Sequence, residues 1–496
     1  MSIKEKSFDQ AGIMPYFFDE RGSKIRAPLH IKQALLATFD GHLRSRTNPL
    51  PPVKILYQNQ PHFLPLTTSD KKHPWLGKWQ LRLENSGEIL EGRVKKNHIE
   101  LPRDLPLGYH DLTLFGHKKT VECRIIVAPQ RCYQPQELKQ GKKLWGSFIQ
   151  LYTLKSAQNW GVGDFGDLKQ FLQELAPYQA DFLGLNPIHA LFPANPDGAS
   201  PYSPSSRKWL NVIYIDVNQL PEFQQSDSAQ KWFASAEVQQ QLSDLRAAEW
   251  VNYGKVLPLK LKGLRFAFDE FKQNSTALSQ QAFADFIRDG SESLQVQATF
   301  DALHAHLSSR YAEQWGWDFW APQFRDYHSE TVAQFRHQYG EEIEFYAWLQ
   351  FCADRQLAEC DALCKAQQMT IGMYRDLAVG VTGSGSETWN DKELYCLRAS
   401  VGAPPDILGP QGQNWGLTPM NPHILKQRAY QPFIDLIRAN MKHCGALRID
   451  HIMSLLRLWW IPKGDCPANG AYVRYPVDAR TSREVSVPVF PGGGIH

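Results

Sequence analysis

The stretch Gly445-Ala-Leu-Arg-Ile-Asp-His-Ile-Met453 is the most informative part of the sequence, because it places Asp450 at the end of an apolar segment that reads as a strand. An ionised carboxylate among apolar residues is unfavourable unless a partner compensates it. Arg448 lies two residues earlier, so on an extended chain its side chain leaves by the same face as that of Asp450. A neighbouring guanidinium favours the charged carboxylate. The stretch therefore predicts a strand that ends in an ionised aspartate suited to act as a nucleophile.

Three other apolar segments upstream resemble strands, and amphipathic helical patterns follow them. Together with residues 446–451 they cover residues 144–152, 182–189 and 370–378. Strands that alternate with helices predict βα units and a parallel sheet. A polar, helix-rich insertion, about residues 218–366, separates the second strand from the third. Its last helix has an apolar stripe that we interpret as core, namely Tyr346, Leu349, Ala353, Leu357, Cys360 and Cys364.

The N-terminal part has a different pattern. Residues 1–45 carry a short helical pattern, after which the hydrophobic period changes to two. Segments such as Trp79-Gln-Leu-Arg-Leu83 alternate as half-buried strands do, with turn signals between them. We therefore predict a short helical segment (1–45), a β-rich, sandwich-like domain (46–130), and an α/β domain (144–478) that follows a polar connector.

Composition excludes several classes of function. The 54 basic and 51 acidic residues leave a formal charge of +3, too little to attract nucleic acid or an anionic membrane surface. No run of about 18 apolar residues occurs and the first residues are polar, so we expect a cytoplasmic protein with no membrane span. The eight cysteines show neither a CxxC pair nor a complete ligand set, so we expect buried, reduced thiols and no metal site.

Two glycine-rich motifs resemble loops that bind phosphate groups. Gly161-Val-Gly-Asp-Phe-Gly166 matches G-x-G-x-x-G, but eight residues separate it from Tyr152, too many for the tight strand-to-helix turn of a dinucleotide site. We expect a loop over the carboxyl edge of the sheet. Gly383-Ser-Gly-Ser386 has no following Gly-Lys-Ser/Thr, so we expect a mobile or turn-forming loop.

Two other loops have residues that suit a sugar. They are Ser200-Pro-Tyr-Ser-Pro-Ser-Ser206 and Gly402-Ala-Pro-Pro-Asp-Ile-Leu-Gly-Pro-Gln-Gly-Gln-Asn-Trp-Gly416. In parallel α/β folds the loops after the strands build the site. Trp415 offers a stacking surface for a sugar ring, and Asp406 and Gln413 offer partners for hydroxyls.

A specific resemblance rests on segments that run in one order along the chain. The segments are Gln150-Leu-Tyr-Thr-Leu154 with Asn159-Trp-Gly-Val-Gly-Asp-Phe-Gly-Asp167, Asn186-Pro-Ile-His-Ala190, Ser200-Pro-Tyr-Ser-Pro204 with Asn211-Val-Ile-Tyr-Ile-Asp216, Tyr374-Arg-Asp-Leu-Ala-Val-Gly-Val381, the loop of residues 402–416, and Arg448-Ile-Asp-His451. In these segments the chain resembles glycoside hydrolase family 77 of the α-amylase superfamily, the 4-α-glucanotransferases or amylomaltases. The N-terminal extension resembles that of the longer, enterobacterial type.

The resemblance implies a (β/α)8 barrel that transfers α-1,4-glucan segments between maltooligosaccharides with retention, and that needs no metal or nucleotide. Asp450 would be the nucleophile and Arg448 would keep it ionised. Tyr202 would stack on the cleaved sugar, and His451 would touch the substrate near the nucleophile. The remaining implied binding residues, on the acceptor side, are Trp415, Gln413 and Asp406.

The sequence departs from the family in its proton donor. Retaining chemistry needs a second carboxyl about 5 Å from the first. In the family this glutamate follows the fifth strand in a Gly-Glu-Asp-Leu-Gly motif, and a His-Asp pair follows the seventh strand; neither occurs after Asp450. Residues 479–496 do not resemble the family, and Ser384 stands where many relatives carry an acid. We therefore expect about the first four barrel strands, in a truncated or frameshifted copy that is inactive by itself.

Two alternatives stay open: an α-glucan hydrolase of the same superfamily, or a non-catalytic maltodextrin-binding remnant. The sequence does not indicate an oligomeric state.

Overall fold

The N-terminal segment folds into two helices and a hairpin in the computed structural model, which describes residues 3–19, 21–39, 48–67, 77–116, 120–310, 315–407 and 409–475. Its elements are α1 (Ile3–Gln10), β1 (Tyr16–Phe18), β2 (Lys24–Arg26) and α2 (Leu29–Ala37). The predicted helical pattern corresponds to α2, which buries Ile31 and Leu35.

A β-rich domain follows. Its strands are β3 (Val53–Tyr57), β4 (His62–Pro65), β5 (Lys78–Arg82), β6 (Ile89–Arg93), β7 (His98–Leu101), β8 (Gly108–Phe115) and β9 (Thr120–Ala128). Five of them form a sheet in the order β3-β9-β8-β5-β6, and β4 pairs with β7. Alternate residues of β9 are buried, as the period of two predicts. The sandwich-like N-terminal domain is confirmed.

The α/β region begins with alternating strands and helices. Its first elements are α3 (Gln136–Lys139), β10 (Gly146–Ile149), α4 (Phe165–Leu175), β11 (Phe182–Leu185), β12 (His189–Ala190) and β13 (Ser206–Leu210). The Gly161–Gly166 motif leads into α4, where Asp164 accepts hydrogen bonds from the backbone of Gly166 and Asp167 and so caps the helix. The motif therefore has a structural explanation that needs no nucleotide.

The predicted helical insertion consists of helices that follow β13 along the chain. Its helices are α5 (Pro221–Gln225), α6 (Asp227–Phe233), α7 (Ala236–Ala247), α8 (Tyr253–Asn274), α9 (Ala277–Ser308), α10 (Glu330–Gln338) and α11 (Gly340–Ala366). All six residues of the predicted apolar stripe on α11 are buried, including Cys360 and Cys364. Their assignment to the core is confirmed.

The remaining elements bring the chain back to the sheet and add a second one. They are β14 (Gly372–Leu377), β15 (Val381–Thr382), α12 (Ser386–Asn390), β16 (Ala399–Ala403), β17 (Gln413–Thr418), α13 (Pro422–Gln427), α14 (Gln431–Met441), β18 (Ala446–Ile449), β19 (Arg457–Pro462) and β20 (Ala471–Arg474).

The described residues form a four-stranded parallel sheet in the order β10-β11-β14-β18, as the strand pattern predicts. All four carboxyl ends lie at one edge. Strand β18 ends at Ile449, so Asp450 is the first residue beyond the strand and not part of it. The next apolar residues, Leu455-Leu-Arg-Leu-Trp-Trp-Ile461, do not extend β18. The chain turns away before them, and most of them form β19 of another sheet.

Residues 402–416 are not one loop, which corrects the sequence interpretation. Their two ends belong to β16 and β17, in an antiparallel sheet of order β15-β17-β16-β19-β20. A Cβ atom on Gly402 would lie only 1.9 Å from the carbonyl oxygen of Gln413, so glycine is required where the two strands approach. This glycine conceals the alternation that would have revealed a strand.

The N-terminal segment packs against this antiparallel sheet. The buried Phe39 ring stacks on Trp460 of β19 with centroids 5.6 Å apart, and the Met14 amide donates to the Tyr472 carbonyl at 2.8 Å. No helix in the described ranges has the length and apolarity needed to cross a membrane. The predicted tail, residues 479–496, lies outside the described residues.

Candidate active site

Two neighbouring parallel strands bring three charged side chains together at the carboxyl edge of the sheet. Asp376 on β14 lies directly opposite Arg448 on β18. The Arg448 guanidinium donates one hydrogen bond to Asp376 Oδ2 and a second to Asp450 Oδ1, the latter at 2.9 Å. Arg448 therefore holds two carboxyl groups at once, that of Asp376 on β14 and that of Asp450 directly after β18.

Asp376 is a site residue that sequence reasoning missed. Its side chain is fully buried, and within the described residues its Oδ1 has no hydrogen-bond partner. Burial raises the pKa of the Asp376 carboxyl, although the Arg448 guanidinium opposes this rise. The signal was present: like Asp450, Asp376 is an acid near the end of an apolar strand, next to an arginine.

The Arg448 guanidinium responds to both carboxylates. Partial burial alone would lower the pKa of Arg448, but the negative charges of Asp376 and Asp450 outweigh that effect and raise it. The cation is therefore permanent at the edge of the sheet. The Asp450 side chain, which is 19% exposed, lies beside this cation with its Oδ1 2.9 Å from Arg448 Nη2.

Tyr202 reaches the same cluster from the loop between β12 and β13. Its hydroxyl donates to Asp376 Oδ2 at 3.5 Å, and 43% of the residue is exposed. Burial, and then the charge of Asp376, raise the pKa of the Tyr202 hydroxyl. The tyrosine remains protonated and presents part of its ring beside the carboxylates.

His451 and Trp415 form an aromatic surface next to Asp450. His451 Nε2 lies 3.8 Å from Asp450 Oδ2, and the backbone of His451 has a left-handed φ of 46°, which turns the chain at the end of β18. The rings of His451 and Trp415 have centroids 4.7 Å apart at 33°. Trp415 Nε1 donates to Gln413 Oε1 at 2.9 Å, so Gln413 belongs to the same surface.

Asp406 is exposed in the connection between β16 and β17, where its Oδ1 accepts a hydrogen bond from the Gly409 amide at 2.6 Å and closes a turn. Within the described residues it makes no hydrogen bond or ion pair with the other predicted site residues. The turn nonetheless lies beside Gln413, because Gln413 Nε2 and Asp406 Oδ1 are 3.4 and 3.5 Å from the position that a Cβ atom on Gly409 would take.

Arg207 on β13 is a second residue that sequence reasoning missed. It is 6% exposed and lines a small cleft together with Asp450 and Leu377. Its Nη1 donates to the carbonyl oxygens of Ala378 and Val379 at 3.1 and 2.9 Å. Arg207 therefore ties the strand that follows the Tyr202 loop to the end of the strand that carries Asp376.

The arrangement has the elements of nucleophilic chemistry on a neutral, polar ring. A carboxylate held by a guanidinium lies at an open strand edge, and aromatic rings flank it on two sides. In the described part of the chain, no three His, Cys, Asp or Glu side chains are grouped so that they would hold a metal ion.

Family models match two parts of the chain. A glycoside hydrolase family 77 model, described as 4-alpha-glucanotransferase, matches residues 149–483, and a model for the MalQ N-terminal beta sandwich domain matches residues 49–129. The chain is 40% identical over 428 residues to a 4-alpha-glucanotransferase of Haemophilus influenzae, a match that covers 85% of this chain and 61% of the relative. It is 34% identical over 407 residues to a 4-alpha-glucanotransferase of Mycobacterium tuberculosis, covering 79% of this chain and 53% of the relative. The chain thus spans less than two thirds of the length of either relative.

Solved structures give the same picture of the fold. An amylomaltase from Corynebacterium glutamicum superimposes with a TM-score of 0.80 at 26% sequence identity, covering 95% of this chain and 68% of that one. An amylomaltase from Streptococcus agalactiae in complex with acarbose superimposes with a TM-score of 0.57 at 20% identity, covering 69% of this chain and 71% of that one.

Proposed function

The chain belongs to the 4-alpha-glucanotransferase family, glycoside hydrolase family 77, and we propose that it binds α-1,4-glucans with Asp450 as the nucleophile that forms a glycosyl-enzyme. The observation that carries this proposal is the position of Arg448, which donates to Asp450 and Asp376 together. Arg448 holds the Asp450 carboxyl group at the open edge of the sheet, where a sugar ring has access.

The reaction of the family type is a double displacement. Asp450 attacks the anomeric carbon, a carbon–oxygen bond forms, and the bond to the leaving glucan breaks as its oxygen takes a proton. The 4-hydroxyl of a second maltooligosaccharide then attacks the same carbon, loses its proton and releases Asp450, so the configuration is retained. Tyr202 would stack on the donor sugar, and Trp415 and Gln413 would hold the acceptor beside His451.

Asp406 would take part in acceptor binding from the turn that lies beside Gln413. Its present contact with Gly409 supports a role in shaping the turn.

The leaving oxygen needs a proton, and in retaining chemistry a second group supplies it by general acid–base catalysis, a contribution of roughly 10²- to 10⁴-fold to the rate. We propose that the chain transfers α-1,4-glucan segments between maltooligosaccharides, the activity that the names of its relatives state for them.

A donor with a good leaving group separates the nucleophile from the proton donor. Fluoride leaves as an anion without protonation, so α-maltosyl fluoride should label the protein through Asp450 even when no acid assists. Intact-mass and peptide mass spectrometry should find one maltosyl adduct at Asp450 in the wild type and none in Asp450→Asn. Labelling elsewhere, or equal labelling of the variant, would refute the assignment of the nucleophile.

Incubation with maltotriose separates the alternatives. Longer maltodextrins plus glucose would show transfer of glucan segments, which is the result we expect. Glucose and maltose without longer chains would indicate a hydrolase. Binding in calorimetry with no product would indicate a non-catalytic, maltodextrin-binding protein.

A further inference from the structure

We propose that Glu387 is a positioning residue that holds the Tyr202 loop against the active site through Ser206 and Arg207. The catalytic consequence rests on the proposed function, whereas the mechanical one can be measured without any substrate. Glu387 lies on α12, just after the Gly383-Ser-Gly-Ser386 motif that the proposed reaction does not use.

The contacts of Glu387 converge on the strand that follows the Tyr202 loop. Its Oε1 accepts hydrogen bonds from Ser206 Oγ at 2.9 Å and from the Arg207 amide at 2.5 Å. Its Oε2 accepts from the Tyr395 hydroxyl at 2.5 Å. A single half-buried carboxylate therefore connects β13, α12 and the segment that leads to β16.

Glu387 remains charged in its half-buried position. Burial alone would raise the pKa of the carboxyl, but Lys208, Arg207 and the donated hydrogen bonds lower it below its usual value. Hydrogen bonds to a charged acceptor are stronger than those to a neutral one. The charge makes the link between α12 and β13 stronger than an amide at the same position would.

The glycine-serine motif supports the same strand from its other side. The Ser386 amide donates to Ser205 Oγ at 3.0 Å, and the Thr382 amide donates to the Pro204 carbonyl at 3.0 Å. A Cβ atom on Gly385 would lie 2.5 Å from the Ser205 carbonyl oxygen, so this approach requires glycine. The motif is thus a docked turn, and it fixes residues 204–206 rather than covering a ligand.

Arg207 transmits this position to the catalytic strands. Its amide is held by Glu387, and its carbonyl accepts from Asn440 Nδ2 at 2.9 Å. Its guanidinium binds the carbonyls of Ala378 and Val379, directly after β14. Tyr202 lies only four residues before Ser206, so loss of the Glu387 contacts would release Tyr202 from Asp376 without changing any group that touches the substrate.

The test uses Glu387→Gln, which preserves the shape of the side chain, and Ser206→Ala, which removes one donor and leaves Glu387 in place. We expect amide hydrogen exchange in residues 200–207 to accelerate about tenfold in Glu387→Gln and less in Ser206→Ala, because local opening follows the lost charge-assisted bonds. The Kd for maltotetraose should rise about fivefold in Glu387→Gln. It should rise less in Ser206→Ala, because that variant keeps the charge of Glu387.

Glu222→Gln is the matched control. Like Glu387, Glu222 is a glutamate that faces an arginine, and Arg355 Nη2 lies 3.3 Å from its Oε2. Glu222 is buried, but it lies in the helical insertion. This variant should change neither the exchange of residues 200–207 nor the Kd.

The two proposals fail in different ways. Unchanged exchange in residues 200–207 of Glu387→Gln would overturn the positioning role, whatever the binding data show. If residues 200–207 exchange faster in Glu387→Gln but the wild-type protein binds no maltotetraose, the positioning role stands and the proposed function is refuted. Faster exchange in all three variants would show general loosening and would also overturn it.

Discussion

Arg448 and Asp376 illustrate what single residues decide at the site. Because the strands are parallel and in register, a residue on β14 and one on β18 share a face, and the guanidinium between them reaches both carboxylates. The Asp450 side chain is 19% exposed beside Arg448, whereas that of Asp376 is fully enclosed. The two acids therefore differ in role because they differ in burial.

A pH-dependent prediction concerns Asp376. Its pKa is raised in the folded state, mainly by burial, so the folded protein binds a proton more tightly there than the unfolded chain does. This group therefore lowers the free energy of unfolding as pH rises from the ordinary carboxyl range through its folded pKa. Asp376→Asn lacks that loss, so its stability relative to the wild type should improve between pH 4 and pH 8.

Urea denaturation at both pH values, about 4 and about 8, measures this difference. A stability difference between variant and wild type that stays constant, or that moves in favour of the wild type at higher pH, would contradict the assignment. Asp435→Asn, at an exposed position on α14, controls for the loss of an acid.

At the scale of elements, buried charges join helices that the sequence presents as independent. Lys260 on α8 is fully buried and donates to Asp164 Oδ2 at 3.0 Å and to the carbonyls of Ile213 and Ile215. Asp164 is also the cap of α4. Lys260 thus fixes the start of α4 to the helical insertion.

Lys260→Met should be strongly destabilising. It leaves Asp164 and the nearby Asp216 without their cation in a site closed to water, and breaking a buried ion pair on one side typically lowers stability by about 3–5 kcal/mol. Chemical denaturation at pH 7 tests this, with Lys262→Met on the same helix as the control. A loss below about 1 kcal/mol would show that the pair contributes little.

Burial also sets the protonation of Asp216, whose pKa is raised to about 7 by desolvation and then by the charge of Asp164. This aspartate therefore shares protons with the cluster near neutrality, which is consistent with one lysine facing more than one carboxyl.

At the scale of the molecule, the two ends of the described chain pack together. Phe39 is fully buried between Trp460 and His423, with ring centroids 5.6 and 5.4 Å away. The β-rich domain also contacts the α/β region, where Arg124 Nη1 donates to Gln431 Oε1 at 2.7 Å. The N-terminal segment is thus part of the core that supports β19 and the antiparallel sheet.

Phe39→Ala should destabilise the protein by about 3–5 kcal/mol, the range for removing a buried aromatic side chain. Tryptophan fluorescence during urea unfolding measures the change. Phe18→Ala, at an exposed position of the same segment, should have little effect. Equal effects of both substitutions would mean that the packing of Phe39 does not stabilise this sheet.

The sequence by itself determined the β-rich domain, the four parallel strands, the buried stripe of α11 and the family, because these depend on local periodicity and contiguous motifs. It also indicated Asp450 with Arg448, since their spacing of two residues already places them on one face. Only the tertiary structure brought Asp376 and Arg207 to the site, linked Glu387 to the strand that follows the Tyr202 loop, and paired the strands of residues 402–416. These outcomes depend on which distant strands become neighbours, and pairing between segments far apart in the chain leaves no period in either of them.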